Sequence, residues 1–300
     1  MIAVVIILLF VCIGLPLFYA WRIWRLDEPV RLTWLLVVMD ACVFVTLVML
    51  VGRWDIAGYY VRLVLLGLFA AAIIASFLRH RRRPWSPPKG MNFWRTHLGP
   101  VVSLAVFGAA LIYVVAGRSP PAGAQDLAFP LRDGQFTIGQ GGGITLLNYH
   151  ASHRAQRFAA DISAIGRNGF RAPGILPSGL GRYEIFGKEV VSPCSGIVRA
   201  AVDGFADLAP PMSDRENAAG NHVIIACKGL RIELAHLQAG SVAVEPGDRI
   251  EVGGVIGRVG NSGNSTEPHL HIHAVNAQTG EGVPISFAGR FPVRNRIYVN

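Results

Sequence analysis

Residues 234–273 read LAHLQAGSVAVEPGDRIEVGGVIGRVGNSGNSTEPHLHIH. Short apolar runs, such as Arg249–Val252 and Leu270–Val275, alternate with clusters of Gly, Pro, Asn and Asp. That is the pattern of brief strands joined by tight turns. The end of the stretch carries the chemistry. In PHLHIH, His269, His271 and His273 alternate with apolar residues. Alternate residues of a strand share a face, so three imidazoles point to one side. Neutral imidazole is a ligand for divalent transition metals. The preceding GNSGNSTEP reads as a turn that holds the start of this strand rigidly.

The same pattern extends to both sides. Strands are expected at Gly143–Tyr149, Arg157–Ser163, Val190–Ser192, Gly196–Val202, His222–Ala226 and Arg231–Ala235, and no amphipathic helix of ten or more residues follows Phe129. The expectation is an all-β C-terminal domain over 129–300, an antiparallel sheet sandwich. Seven of the nine histidines lie in this half.

The quoted stretch resembles the lysostaphin/LytM-type zinc endopeptidases. Their signature pairs a hydrophobic-A-H-L strand with V-x-x-G-D-x-V-x-x-G-x-x-I-G-x-x-G-x-S-G-x-S-T-x-P-H-L-H. Phe186–Val198 (FGKEVVSPCSGIV) and Gly220–Ile225 resemble further family patterns, so the likeness covers about residues 145–275. It implies a duplicated-hybrid-like β-sheet fold, one bound Zn2+, and a set of roles. His271 matches the zinc-binding His, and His269 and His236 match the two catalytic histidines. Asp161, in RFAADIS, matches the Asp ligand of H-x-x-x-D. Where that motif expects its His, this chain has Arg157, which cannot bind zinc. The missing ligand is then His150, brought opposite Asp161 by a hairpin from Gly143–Tyr149, or alternatively His153. Asn148-Tyr149-His150…Gln156-Arg157-Phe158-Ala159-Ala160-Asp161 resembles a variant of the family pattern with such a displaced ligand. His273 stands where the family commonly carries Glu and is expected to support a ligand. His222 is expected to be structural or substrate-lining, and Asp203–Ala219 to be a surface loop or a flap over the groove.

The resemblance implies hydrolysis of peptide bonds in peptidoglycan stems or cross-links. Three ligands leave a position for water, and His236 and His269 have an intrinsic pKa of about 6.5, suited to proton transfer. There is no HExxH helix to supply a Glu base. The alternative is a catalytically inactive scaffold or activator of another wall hydrolase, for which Arg157 speaks.

The other half of the chain is of a different kind. Apolar residues make up 52% of the sequence and concentrate before residue 118, and mean hydropathy is +0.41. Ile2–Ala20, Leu32–Val51, Tyr60–Leu78 and Leu98–Ala116 are each long enough, at about 20 residues, to span a bilayer. The expected organisation is a four-helix transmembrane region (1–118), a Pro/Gly/Ala-rich linker (119–128) and the β domain. The net charge of +9 is not a nucleic-acid signature: residues 1–118 hold twelve Lys/Arg against four Asp/Glu, and residues 119–300 hold sixteen against fifteen. The excess lies in the first loop (Arg22, Arg25, Arg31) and the third (Arg79, Arg81, Arg82, Arg83, Lys89, Arg95). Positive loops lie in the cytoplasm. The β domain is therefore expected outside the cytoplasmic membrane, in the periplasm or extracytoplasmic space. The expected partners are the lipid bilayer and a peptidoglycan peptide. Asp40, inside the second run, is read as facing the bundle interior. Cys194 and Cys227 are either a disulfide, which an oxidising compartment permits, or two small buried hydrophobes.

Overall fold

A computed structural model describes residues 2–86 and 93–300, with the backbone alone at 93–96. Lys89 therefore lies outside the described residues, as does the side chain of Arg95. The chain forms two compact units, one built on Ile6–Ala116 and the other on Gly117–Asn300.

The first unit is helical. Its long helices are α1 (Ile2–Arg25, with a π turn at Phe10–Gly14), α2 (Arg31–Val51), α3 (Tyr59–His80) and α4 (Phe93–Ala116), and a single helical turn, Trp54–Ala57, lies between α2 and α3. Among the described residues four helices are long and apolar enough to cross a membrane. Two run further than the hydropathy pattern suggests. α1 continues through the aromatic and basic residues up to Arg25, and α4 begins at Phe93. Asp40 is buried within this unit, as expected, but it is not alone. Ser103 Oγ donates to its Oδ1 at 2.5 Å, and Arg22 Nη1 lies 3.8 Å from its Oδ2. Pairing is the usual condition for keeping an acid among apolar helices.

The second unit is an antiparallel β domain. Its strands are β1 (Gln125–Leu127), β2 (Gln135–Gln140), β3 (Ala160–Ala164), β4 (Glu189–Val191), β5 (Gly196–Val202), β6 (Asn221–Cys227), β7 (Leu230–Leu237), β8 (Arg249–Ile250), β9 (Val255–Arg258), β10 (Leu270–Asn276), β11 (Gly282–Val283), β12 (Ile285–Phe287) and β13 (Ile297–Val299). The main sheet runs β13-β2-β3-β10-β7-β6-β5-β8, with β11 also on β10, and β4 pairs with β9 in a small second sheet. The helical content of this unit is limited to short 3-10 turns.

Two expectations are corrected. The segment 119–128 is not all linker, because β1 pairs in parallel with β12 and Ser286 Oγ donates to Asp126 Oδ1 at 2.8 Å. Gly143–Tyr149 is not a strand. It turns, and Tyr149–Ser152 forms a 3-10 helix capped by Asn148, whose side chain accepts from His150 N. The Gly-rich run QGGGI has too little side chain to fill a pleated sheet, and Asn148 offers the backbone a competing local hydrogen bond.

The central strands divide their faces between core and site. On β10, Leu270, Ile272 and Ala274 enter the core, while His271, His273 and Val275 take the other face. On β7, Leu230, Ile232 and Leu234 do the same, leaving Arg231, Glu233 and Ala235 on the site face. Ile232, Leu234, Ile272 and Leu270 are fully enclosed. Each such side chain contributes about 2 kcal/mol of burial free energy and fixes the register of its strand. A disulfide joins Cys194, just before β5, to Cys227 at the end of β6.

Candidate metal centre

β3 and β10 are antiparallel neighbours, with Asp161 directly opposite His271. His150 reaches the same carboxylate from the 3-10 turn. Its Nε2 lies 3.1 and 3.2 Å from the two Asp161 oxygens, and His271 Nδ1 lies 2.9 Å from Oδ1. One ligand atom from each of His150, Asp161 and His271 lies within 4.8 Å of the others. Ligands of a tetrahedral zinc at about 2.0–2.1 Å stand about 3.3 Å apart, so this donor set has the chemistry and spacing for such an ion. Of the two upstream histidines, His150 joins the cluster. His153 is exposed and lines the groove instead. Arg157 is exposed too, its guanidinium 4.7 Å from the Phe158 ring, and contributes nothing to the cluster.

Burial works to raise the Asp161 pKa, but attraction to His269 and His150 and hydrogen bonds from His150 and His271 outweigh it. The carboxyl is held well below the usual carboxylate range. On the far side of His271, its Nε2 lies 3.1 Å from His273 Nδ1. Burial, with the His271 and His150 charges, pushes the His273 pKa down to about 3, so this ring is neutral at pH 7. Neutral His273 Nδ1 can accept from His271 Nε2; a neutral His271 then turns the lone pair of its Nδ1 towards the metal position beside Asp161, and it donates to Asp161 Oδ1 only when that ring is protonated. His273 is thus placed where it could support His271.

His236 and His269 lie beside this cluster, their ring centroids 4.8 Å apart, with His236 5.8 Å from His271. Each has its Nδ1 on a carbonyl oxygen, His236 on Ser262 at 2.9 Å and His269 on Glu267 at 2.8 Å. A carbonyl only accepts, so both Nδ1 atoms carry hydrogen and both Nε2 atoms keep a free lone pair. His269 Nε2 is buried without a hydrogen-bond partner among the described residues, and stands 3.7 Å from Asp161 Oδ1. Burial lowers the pKa of both rings. For His236 the His269 and His271 charges lower it further, to well below the usual value.

The sequence GNSGNSTEP builds the support. Ser262 Oγ donates to Leu237 O at 2.7 Å and accepts from Asn221 N, while Ser265 Oγ donates to Asn261 Oδ1 at 2.6 Å. Gly263 (φ +76°) packs on Gly220 so closely that a Cβ on it would sit 2.5 Å from Gly220 N. This approach brings Ser262 O to His236, whose own backbone is held at φ +63°, a costly value for a non-glycine residue. Glu267, whose carbonyl orients His269, is fixed by Arg171 Nε at 2.5 Å. Arg171 is almost wholly buried and did not stand out in the sequence. An arginine inside an apolar, Pro-rich segment (FRAPGILP) is the one sign of it.

Asp203–Ala219 is a strapped loop. Asp203 accepts from Gly240 N and Val242 N, and Asp207 from Ala239 N and Asn261 N. Its end, Ala218 and Ala219, walls a groove of about 580 Å³ together with Tyr149, His150, His236 and His271. His222 turns its Nδ1 to Gly220 O at 2.8 Å and takes no part in the cluster.

An all-β domain thus carries a buried His/Asp/His donor set that could hold a divalent metal ion, with two imidazoles beside it. Residues 183–283, about a third of the chain, match Peptidase family M23. The matched stretch runs from Tyr183 to the end of β11 and is similar to that family. The match covers His236, His269 and His271, while His150 and Asp161 lie before it. Similar solved structures include lysostaphin in solution, at 26% identity over 30% of this chain and 33% of that one, TM-score 0.24. Csd3 of Helicobacter pylori is 19% identical over 55% and 34%, TM-score 0.30. The catalytic domain of prophage-encoded M23 protein EnpA from Enterococcus faecalis is 22% identical over 37% and 79%, TM-score 0.24. The chain thus spans about a third of the length of the first two. No curated protein matches the chain.

Proposed function

We propose that the β domain is a zinc-dependent endopeptidase that hydrolyses peptide bonds of peptidoglycan stems or cross-links outside the cytoplasmic membrane, with the four helices as its anchor. The observation that carries this reading is the joint placement of two groups. His150, Asp161 and His271 converge as donors, and His236 and His269 present free Nε2 atoms beside them. A zinc ion held there would supply Lewis acidity, bringing the pKa of water towards about 7 and polarising the scissile carbonyl. His236 and His269, kept neutral by burial, would accept a proton at Nε2 and return it to the leaving amine. Once protonated, either would donate to the carbonyl oxygen as negative charge develops there. His273 would hold His271 in the ligating orientation.

Two features support placement outside the cytoplasm. Arg22, Arg25 and Arg31 share one side of the helices with Arg79, Arg81, Arg82 and Arg83, by alternation of the spans. The Cys194–Cys227 disulfide suits an oxidising compartment. Arg157, the one residue that favours a metal-free scaffold, lies exposed and apart from the cluster.

The test uses the full chain in detergent, loaded with zinc and incubated with isolated peptidoglycan. Chelator-sensitive release of peptide fragments, read by mass, is the expected result. No release by the folded, zinc-loaded protein would overturn the enzyme reading in favour of the scaffold.

A further inference from the structure

The face of the sheet that carries the metal cluster does not end with it. Register pairs His271 with Ala235 and, one step along the same face, His273 with Glu233. The step is two residues of strand, about 6.8 Å. Glu233 lies where two clefts meet. The first, of about 580 Å³, holds His150, His236 and His271; the second, of about 280 Å³, holds Arg231 and His273; Glu233 and Ala155 line both.

Glu233 is half-buried, and among the described residues no hydrogen-bond donor or cation meets its carboxylate. The neighbouring cations do not serve it. Arg154 is committed to Glu281, and Arg231, next on the same strand face, makes no ion pair with it. Glu233 thus offers an unmatched negative charge in the wall of the groove, one strand step from the cluster, where a cationic group of a bound peptide could meet it.

We propose that Glu233 is an acidic subsite that binds an ammonium group on the peptide substrate. This rests on the peptidase reading above and deepens it. The substrate class is an extended peptide bearing a free side-chain amine, as on a diamino acid. Chain spacing of about 3.3–3.5 Å per residue places that amine on a residue one or two positions from the scissile bond. Arg231, at the next step, disfavours a second cation further along.

The test uses the full chain in detergent and two synthetic wall-stem peptides that differ only at one diamino residue, with its side-chain amine free or acetylated. Binding is measured by titration on metal-stripped protein, so it does not depend on turnover, and cleavage is measured separately with zinc. The expected result is roughly tenfold or more tighter binding of the free-amine peptide, as for a hydrogen-bonded ion pair. Glu233→Gln should reduce this ratio to about one, and Glu233→Lys should reverse the preference. Equal binding of both peptides, no binding of either, or a ratio unchanged in Glu233→Gln overturns the subsite. So does loss of zinc from Glu233→Gln, which would make Glu233 a support of His273. If binding discriminates as expected but neither peptide is cleaved, the subsite stands and the peptidase reading fails.

Discussion

At the scale of single residues, the five site groups divide by where their free nitrogen or oxygen atoms point. His271→Ala and Asp161→Ala each remove a donor from the convergent set and should abolish zinc binding, measured as metal content of the purified protein. His236→Ala and His269→Ala leave that set intact. They should keep zinc but lower kcat by about 10²–10⁴. Arg171 acts on the same site without touching it. Arg171→Leu leaves Glu267 without its partner and should cost about 3 kcal/mol in a thermal melt. It should also loosen the carbonyl that orients His269, so the pH–rate profile should shift, which a purely structural loss would not cause. The buried histidines make acid stability a further readout. The folded pKa of His273 is about 3, below the unfolded value near 6.5. As pH falls below about 6.5 the unfolded chain takes up a proton that the folded one refuses. Stability is therefore full above that pH and declines from 6.5 down towards 3. His273→Asn should flatten that decline in melts of metal-stripped protein.

At the scale of elements, the site depends on a few backbone approaches more than on side chains. Gly263→Ala would drive a Cβ into Gly220 N at 2.5 Å, with φ already at +76°. It should cost about 2 kcal/mol or more in stability and lower activity by displacing Ser262 O from His236, checked by melts and by kcat. What the sequence discloses of all this follows from periodicity. β7 and β10 are legible because core and site residues alternate on them, and the alternation already puts His271 and His273 on one face. Asp161 is legible through its motif. His150 is legible as a residue but not as a structure. Its position follows from a 3-10 turn that no period announces, closed by the side chain of Asn148. β1 is hidden because three residues in a Pro- and Gly-rich run acquire strand geometry only by pairing with β12, some 160 residues away. Arg171 is hidden for the same reason: its partner Glu267 is 96 residues distant.

At the scale of the whole molecule, function turns on which side of the membrane the β domain occupies, and two independent kinds of chemistry bear on it. The first is electrostatic. With four spans, the loop after α1 and the loop after α3 fall on one side, and both are rich in arginine. Arg53, by contrast, lies between α2 and α3 with its charge met by Asp55 at 2.7 Å, so that connection adds little positive bias of its own. The second is redox. Cytoplasmic thiols are kept reduced, so a Cys194–Cys227 bond should persist only on the outer side. The two arguments can fail separately, and one set of cells tests both. A reporter fused after residue 118 should be active only in its exported form. In the same cells, Cys194 and Cys227 should resist thiol-alkylating reagents until a reductant is added, whereas Cys12 and Cys42 carry no such bond. Reduction should then lower the melting temperature, since the bond closes a loop of 33 residues, worth about 4 kcal/mol. A reporter active only in the cytoplasm, together with freely alkylated Cys194 and Cys227, would place the domain inside. It would then be cut off from peptidoglycan, and its substrate would have to be a cytoplasmic peptide.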